Sequence, residues 1–164
     1  MRTGRAIGTG RHGMSATARE QGWNANLALD ASIAALAVRR GVGVVVPWVL
    51  YDALLHYRGT DLVVSEGADR SLLVVAVARR GRPIGALAVA DRAGRGFDDR
   101  DVATAERFAE AAASAMAPRK ARERGPALLH EVLGALEAET AALYTLAESD
   151  QRLTLVAALD RAAR

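Results

Sequence analysis

The stretch Ser71–Ala117 reads SLLVVAVARRGRPIGALAVADRAGRGFDDRDVATAERFAEAAASAMA, and its signals decide the fold. Ser71–Ala78 is a continuous apolar run, which predicts a strand covered on both faces. Arg79-Arg80-Gly81-Arg82 predicts a turn, and Pro83–Ala90 a second strand. Two strands joined by so short a glycine-containing turn make an antiparallel hairpin. A loop at Asp91–Gly96 follows. Asp98 then stands where an N-cap belongs and Asp101 completes an acidic capping box, with Phe97 and Val102 placed as a hydrophobic staple. Asp98, Asp99 and Asp101 also suit the positive end of a helix dipole. Val102, Ala105, Phe108, Ala109, Ala112 and Met116 recur at helical spacing, and Pro118 predicts the end of that helix.

Toward the C-terminus, residues 119–125, RKARERG, predict a charged linker. Pro126 suits a helix start. Leu129, Val132, Leu133 and Leu136 then form an apolar stripe that fits either packing within the chain or pairing with a second chain. Ala141–Ala147 predicts a strand, Glu148–Gln151 a turn and Leu153–Ala158 the strand's hairpin partner. From Ser71 onward the predicted order is strand, strand, helix, helix, strand, strand.

Toward the N-terminus the signals weaken. Residues 1–24 are rich in Gly and Arg. Ala25–Val38 predicts a helix broken at Arg39-Arg40-Gly41. Val42–Val49 predicts a strand, Leu50–Tyr57 a helical turn or an extension, and Leu62–Val64 a short strand. The window Val42–Leu55 is too short for a bilayer span and holds Pro47 and Asp52.

Composition narrows the class. The chain has 164 residues, 51% hydrophobic and 25% charged, which excludes a disordered chain. Roughly a fifth of it is alanine, so the larger apolar share is that of an ordinary globular domain. The net charge is only +3, with Arg and acid interleaved, unlike the clustered charge of a dedicated nucleic-acid binder. With no cysteine, disulfides, Cys-ligated zinc, a thiol nucleophile and a thioether-linked chromophore are excluded. His12, His56 and His130 are too scattered to hold a metal, and no serine sits in a nucleophile-elbow pattern. No catalytic residue and no metal ligand is expected, and no cofactor is indicated.

Residues 71–117 resemble the back half of a GAF domain, with its strand, short turn, glycine-spaced second strand, F-x-x-x-D and closing Ala-rich helix. Residues 126–158 resemble the front half of a second one, from the entry helix through AALYTL to LTLVAA. Residues 1–70 match the family's front part poorly. The resemblance implies an α+β fold with an antiparallel sheet flanked by helices, incomplete or permuted. Its parts would be 1–70 as a degenerate front segment, 71–118, the linker 119–125, and 126–164 as the start of a second domain. Either the chain is an excerpt of a tandem sensor, or the two halves pack on each other within one chain or between two.

The same resemblance implies a non-catalytic sensory or regulatory module. It would belong to a cytoplasmic bacterial signalling or transcription-control protein, with a small-molecule ligand, a homodimer and an output domain as partners, and neither membrane nor nucleic acid bound directly. A pocket would lie against the sheet face of Leu73, Val75, Val77, Leu87 and Val89, residues that equally suit an ordinary core. The family's cyclic-nucleotide pattern carries over as Asp91, Arg92, Phe97, Asp101 and Val102. Only Phe97 and Asp101 keep the pattern's residue types, which argues against that ligand. Arg92 and Asp101 could form an ion pair pinning the loop to the helix around Phe97.

A rival reading starts from Gly8, Gly10 and Gly13, which match G-x-G-x-x-G, with Asp30 at the distance of a ribose-binding acid. It predicts a dinucleotide-binding domain with parallel strands, and it lacks a clean apolar strand before the motif. A third reading is an interaction fragment without a ligand.

Overall fold

The computed structural model describes residues 26–28, 33–46, 70–92, 94–147 and 152–161. The glycine motif at 8–13, Asp30, His12, His56, the segment 50–57, the strand expected at 62–64 and the turn at 148–151 lie outside these residues. Six strands are described: β1 Asn26–Ala28, β2 Val44–Val46, β3 Arg70–Arg79, β4 Arg82–Arg92, β5 Thr140–Ala147 and β6 Arg152–Asp160. Three helices accompany them: α1 Ile33–Arg40, α2 Asp99–Ala113 and α3 Pro118–Leu136.

The strands form one sheet in the order β1-β6-β5-β4-β3-β2. Every pairing in it is antiparallel, as the α+β reading requires. The parallel strands demanded by the dinucleotide reading are not what these residues build, and that reading is set aside. The two long hairpins occupy the centre. The three-residue strands β1 and β2 close the edges, and short edges limit unwanted pairing with other chains.

Local chemistry accounts for the central hairpin. Arg80 and Gly81 both take positive φ, 51° and 76°, the backbone of a two-residue turn whose twist matches the strands it joins. The register shifts after Val77, which faces Gly85 while Ala78 faces Pro83. Ile84 is the extra residue of a bulge, where a strand accommodates the missing N–H of Pro83.

Successive side chains of a strand point to opposite faces, and here both faces are buried. Leu73, Val75, Val77, Leu87 and Val89 join α2 and α3 in one core cluster. Leu72, Val74, Ala86, Ala88, Ala142 and Tyr144 join α1 in the other. Helix α2 lies mainly over β3, α3 over β5 and β6, and the two helices pack on each other.

Two expectations are corrected. The segment 119–125 is not a linker but the first two turns of α3, which starts with Pro118 in its first turn and runs through Pro126. Ala, Arg, Lys and Glu are strong helix formers. The helix is also held laterally, because Ala121 and Gly125 are buried together with Leu129, Val132, Leu133 and Leu136. The expected division between 71–118 and 126–164 therefore falls inside a helix, and both parts contribute neighbouring strands to one sheet through the β4–β5 pairing. The helix expected over 25–38 is likewise shorter. Asn26–Ala28 pair with β6 as a strand, and α1 ends at Arg40, where the Gly41 N–H donates to the Ala37 carbonyl at 2.9 Å.

Gly125 marks the closest approach of α3 to the sheet, since a Cβ there would stand 2.7 Å from that of Ala157. Gly134, in the same helix, has open space around it. Gly125→Leu should therefore lower stability by about 1–3 kcal/mol through overpacking. Gly134→Ala should raise it by about 0.5–1 kcal/mol through lost chain entropy. Urea unfolding midpoints of the two variants, at equal m, check both signs.

Candidate functional site

At the end of the central hairpin the sheet meets the loop before α2 and the C-terminus of α3. Asp91, the penultimate residue of β4, is 5% exposed. Its carboxylate accepts the backbone N–H of Arg92 at 2.8 Å and an N–H of the Arg95 guanidinium at 2.5 Å. The same guanidinium donates to the carbonyl of Glu137 at 2.9 Å and to that of Leu136. These carbonyls end α3, where a positive charge meets the negative end of the helix dipole. Arg95 also stacks over the Phe97 ring, 4.8 Å from its centroid, in the geometry of a cation–π contact. One planar fork thus ties β4, the loop and α3 together, a task for which the fixed geometry of arginine is suited.

The sequence placed this role on the wrong residues. The pair expected between Arg92 and Asp101 does not tie the loop: Arg92 is exposed, and the arginine that reaches back is Arg95. Asp101 instead works within its own helix. Its backbone N–H donates to Asp98 Oδ1 at 2.8 Å, and its carboxylate accepts the Asp98 N–H at 3.1 Å, the capping box expected from the sequence. Phe97 is 7% exposed and belongs to the same core cluster against which Val102 packs.

A second arginine does the same for α2. Arg79, the last residue of β3, donates to the Ala113 carbonyl at 2.5 Å. Neither α2 nor α3 has a basic residue in its own last turn, so each long helix has its C-terminus capped by an arginine from the central hairpin or its following loop. Periodicity alone could not reveal this, because both bonds span more than thirty residues.

Beside Arg95 lies an open groove of about 430 Å³ between α2 and the end of α3. Arg95, Arg100 and Arg107 line it together with Asp98, Asp101 and Glu137, so the charges balance. Arg107 donates to Thr104 Oγ1 at 3.4 Å. Arg95, Asp98 and Asp101 are already engaged in structural hydrogen bonds. The other charged residues that line the groove, Arg100, Arg107 and Glu137, are exposed. Among the described residues no group of His, Asp and Glu is placed to hold a metal. His130 is exposed on α3.

The other two expected sites are occupied by the chain itself. Leu73, Val75, Val77, Leu87 and Val89 are each at most 1% exposed, and the face they form is filled by α2 and α3 rather than left open. Leu129, Val132, Leu133 and Leu136 are at most 2% exposed. The stripe read as a possible pairing surface is thus spent on the chain's own sheet, as the most apolar side of a helix packed on two strands must be.

A family model for the GAF domain matches residues 6–116. The chain belongs to the GAF family. No curated protein and no solved structure matches it. The GAF match ends between α2 and α3, although the sheet continues through β5 and β6. Membership supports a sensory or regulatory role. Among the described residues no helix is long and apolar enough to cross a membrane.

Arg95→Ala should cost about 2–4 kcal/mol, because it strands a buried carboxylate and uncaps α3. Arg95→Lys should recover only part of that, lacking the fork. Ser71 gives the opposite sign. Its hydroxyl is buried opposite Asp91 with no hydrogen-bond partner among the described residues, so Ser71→Ala should be neutral or stabilising by up to about 1 kcal/mol. Thermal unfolding of the three variants checks the ranking.

Proposed function

We propose that this GAF domain is a non-catalytic sensor of a small molecule, serving a cytoplasmic bacterial signalling or transcription-control protein with its own output domain, and that the ligand lies on the α1 side of the sheet. The observation that carries the placement is the difference between the two faces. On the face under α2 and α3, β3 and β4 present Leu73, Val75, Val77, Leu87 and Val89, with Ala141 and Ala157 beside them. The other carries Leu72, Val74, Leu153 and Leu155 together with Ala76, Ala86, Ala88, Ala90, Ala142, Ala158 and the ring of Tyr144, and β4 presents only alanines there. Small side chains lower that surface by the depth of a methyl or more at each position. Among the described residues the helix over it is α1, with 8 residues, against 15 and 19 for the helices of the opposite face. Ala86, Ala88, Ala90, Ala142 and Tyr144 are buried, and alanines beside an aromatic ring suit a flat, largely apolar ligand that displaces what covers them, the usual character of small-molecule sites.

A thermal-shift screen with purine nucleotides, flavins and aromatic acids tests the reading. A ligand present at a hundred times its dissociation constant adds about 2.7 kcal/mol to apparent stability. Ala88→Leu should abolish that gain by filling the space a ligand would take over the alanines. Val89→Ala, one residue along on the helix side, should lower the midpoint yet keep the gain. Loss of the gain in Val89→Ala but not in Ala88→Leu would move the ligand to the other face. No gain with any compound would favour the ligand-free interaction reading.

A further inference from the structure

The GAF match ends at residue 116, inside the four-residue junction Ser114–Ala117 that separates α2 from α3. Everything beyond that junction enters the fold as one continuous segment: α3, β5 and β6. In the sheet it lies between two strands of the rest, pairing with β4 from Gly85 opposite Thr145 to Ala90 opposite Thr140 and with β1 from Asn26 opposite Thr154 to Ala28 opposite Arg152. It is also held by the Arg95 bonds to Leu136 and Glu137. Without this segment, β4 would be an uncovered edge of 11 residues with apolar side chains on both faces, which a soluble sheet does not leave open. The surface must be covered, but nothing in its contacts requires that the cover come from the same chain.

The junction is a weak stop. Ser114, the C-cap of α2, is still helical at φ −71° and ψ −19°, with no left-handed residue to turn the chain. Helix α3 begins at Ala117 without a side-chain cap. What separates the helices is Ala117 in an extended conformation, ψ 131°, and the residue before a proline is biased toward that conformation. We propose that residues 118–161 are an exchangeable segment. In a dimer of this chain it docks between the partner copy's β4 and β1 in the registers seen here, and Pro118 sets the balance between the closed monomer and the exchanged dimer. Every contact outside the junction is the same in both forms, so the junction alone decides between them, as in other exchanges of identical elements. This inference does not rest on the proposed ligand.

The chain has no cysteine, which makes the test clean. Ala88 and Ala142 are register partners across β4 and β5, and cysteine is a small residue tolerated in cores. Ala88→Cys and Ala142→Cys are made in separate full-length chains, co-refolded from urea across a concentration series, and oxidised. Exchange joins the two chains as a covalent heterodimer whose yield rises with concentration. In Pro118→Ala the dimer fraction by sedimentation should rise about tenfold or more at equal concentration, since Ala117 loses its bias. Insertion of Gly-Ser-Gly after Ala115 should return the chain to the monomer by easing closure. A dimer that forms without the 88–142 cross-link overturns the proposal, as does a Pro118→Ala chain that stays monomeric and cross-links to no partner. An unchanged dimer fraction in Pro118→Ala, with the cross-link present, overturns the role given to Pro118.

Discussion

The pairing of β4 with β5 is the contact on which the rest of this structure depends. It joins the last strand within the GAF match to the first strand beyond it, and both core clusters run across the seam. Leu87 pairs with Leu143 on the side of the long helices, while Ala86 pairs with Tyr144 and Ala88 with Ala142 on the side of α1. Antiparallel pairs of this kind stabilise a sheet side chain by side chain, but this seam also sets a steric demand. A Cβ at Gly85 would stand 2.1 Å from the Tyr144 carbonyl oxygen and 2.3 Å from the Met116 methyl. Strand β5 and the α2–α3 junction can close on β4 together only because that position carries no side chain.

The arginine caps follow from the same seam. Once β5 lies beside β4, the end of α3 is carried over the end of β4, where its last carbonyls point at the loop before α2. Those carbonyls would have no intrahelical partner. Arg95 supplies one, with Asp91 holding the guanidinium from the sheet side. Arg79 does the same for α2 at the other end of the hairpin. Each long helix is thereby fixed both by apolar packing and by a charged group at its terminus. The two ends of one hairpin thus set where both helices stop.

How much of this was legible from sequence depends on how local the signal is. The run Ser71–Ala117 is readable because turn, bulge, capping box and periodicity all act over a few residues and agree. The first turns of α3 are not, for a physical reason. The residues that bury them are Ala121 and Gly125, small because α3 crosses β6 closely there, so the stripe that announces a helix fades where packing is tightest. Arg92 and Arg95 are indistinguishable in a string. Gly94, at φ 82°, bends the loop between them, and Arg95 is the one that reaches α3. Alternation along β3 and β4 shows that two faces exist but not which one two long helices cover. That choice hangs on α3, whose start was misread.

The place of α3 bears on what each face of the sheet can do. A face of Leu and Val interlocked with α2 and α3 cannot open for a ligand without breaking the packing that defines the domain, because close-packed interiors yield little volume. The opposite face can differ. Its alanines contribute little apolar area to stability, so rearranging what lies over them disturbs less of the core. Under the proposed reading, support and recognition would be divided between the two sides of one sheet, with the ring of Tyr144 on the α1 side. The seam between β4 and β5 passes under both, so a ligand on the alanine face would touch the same strands whose far side seats α2 and α3.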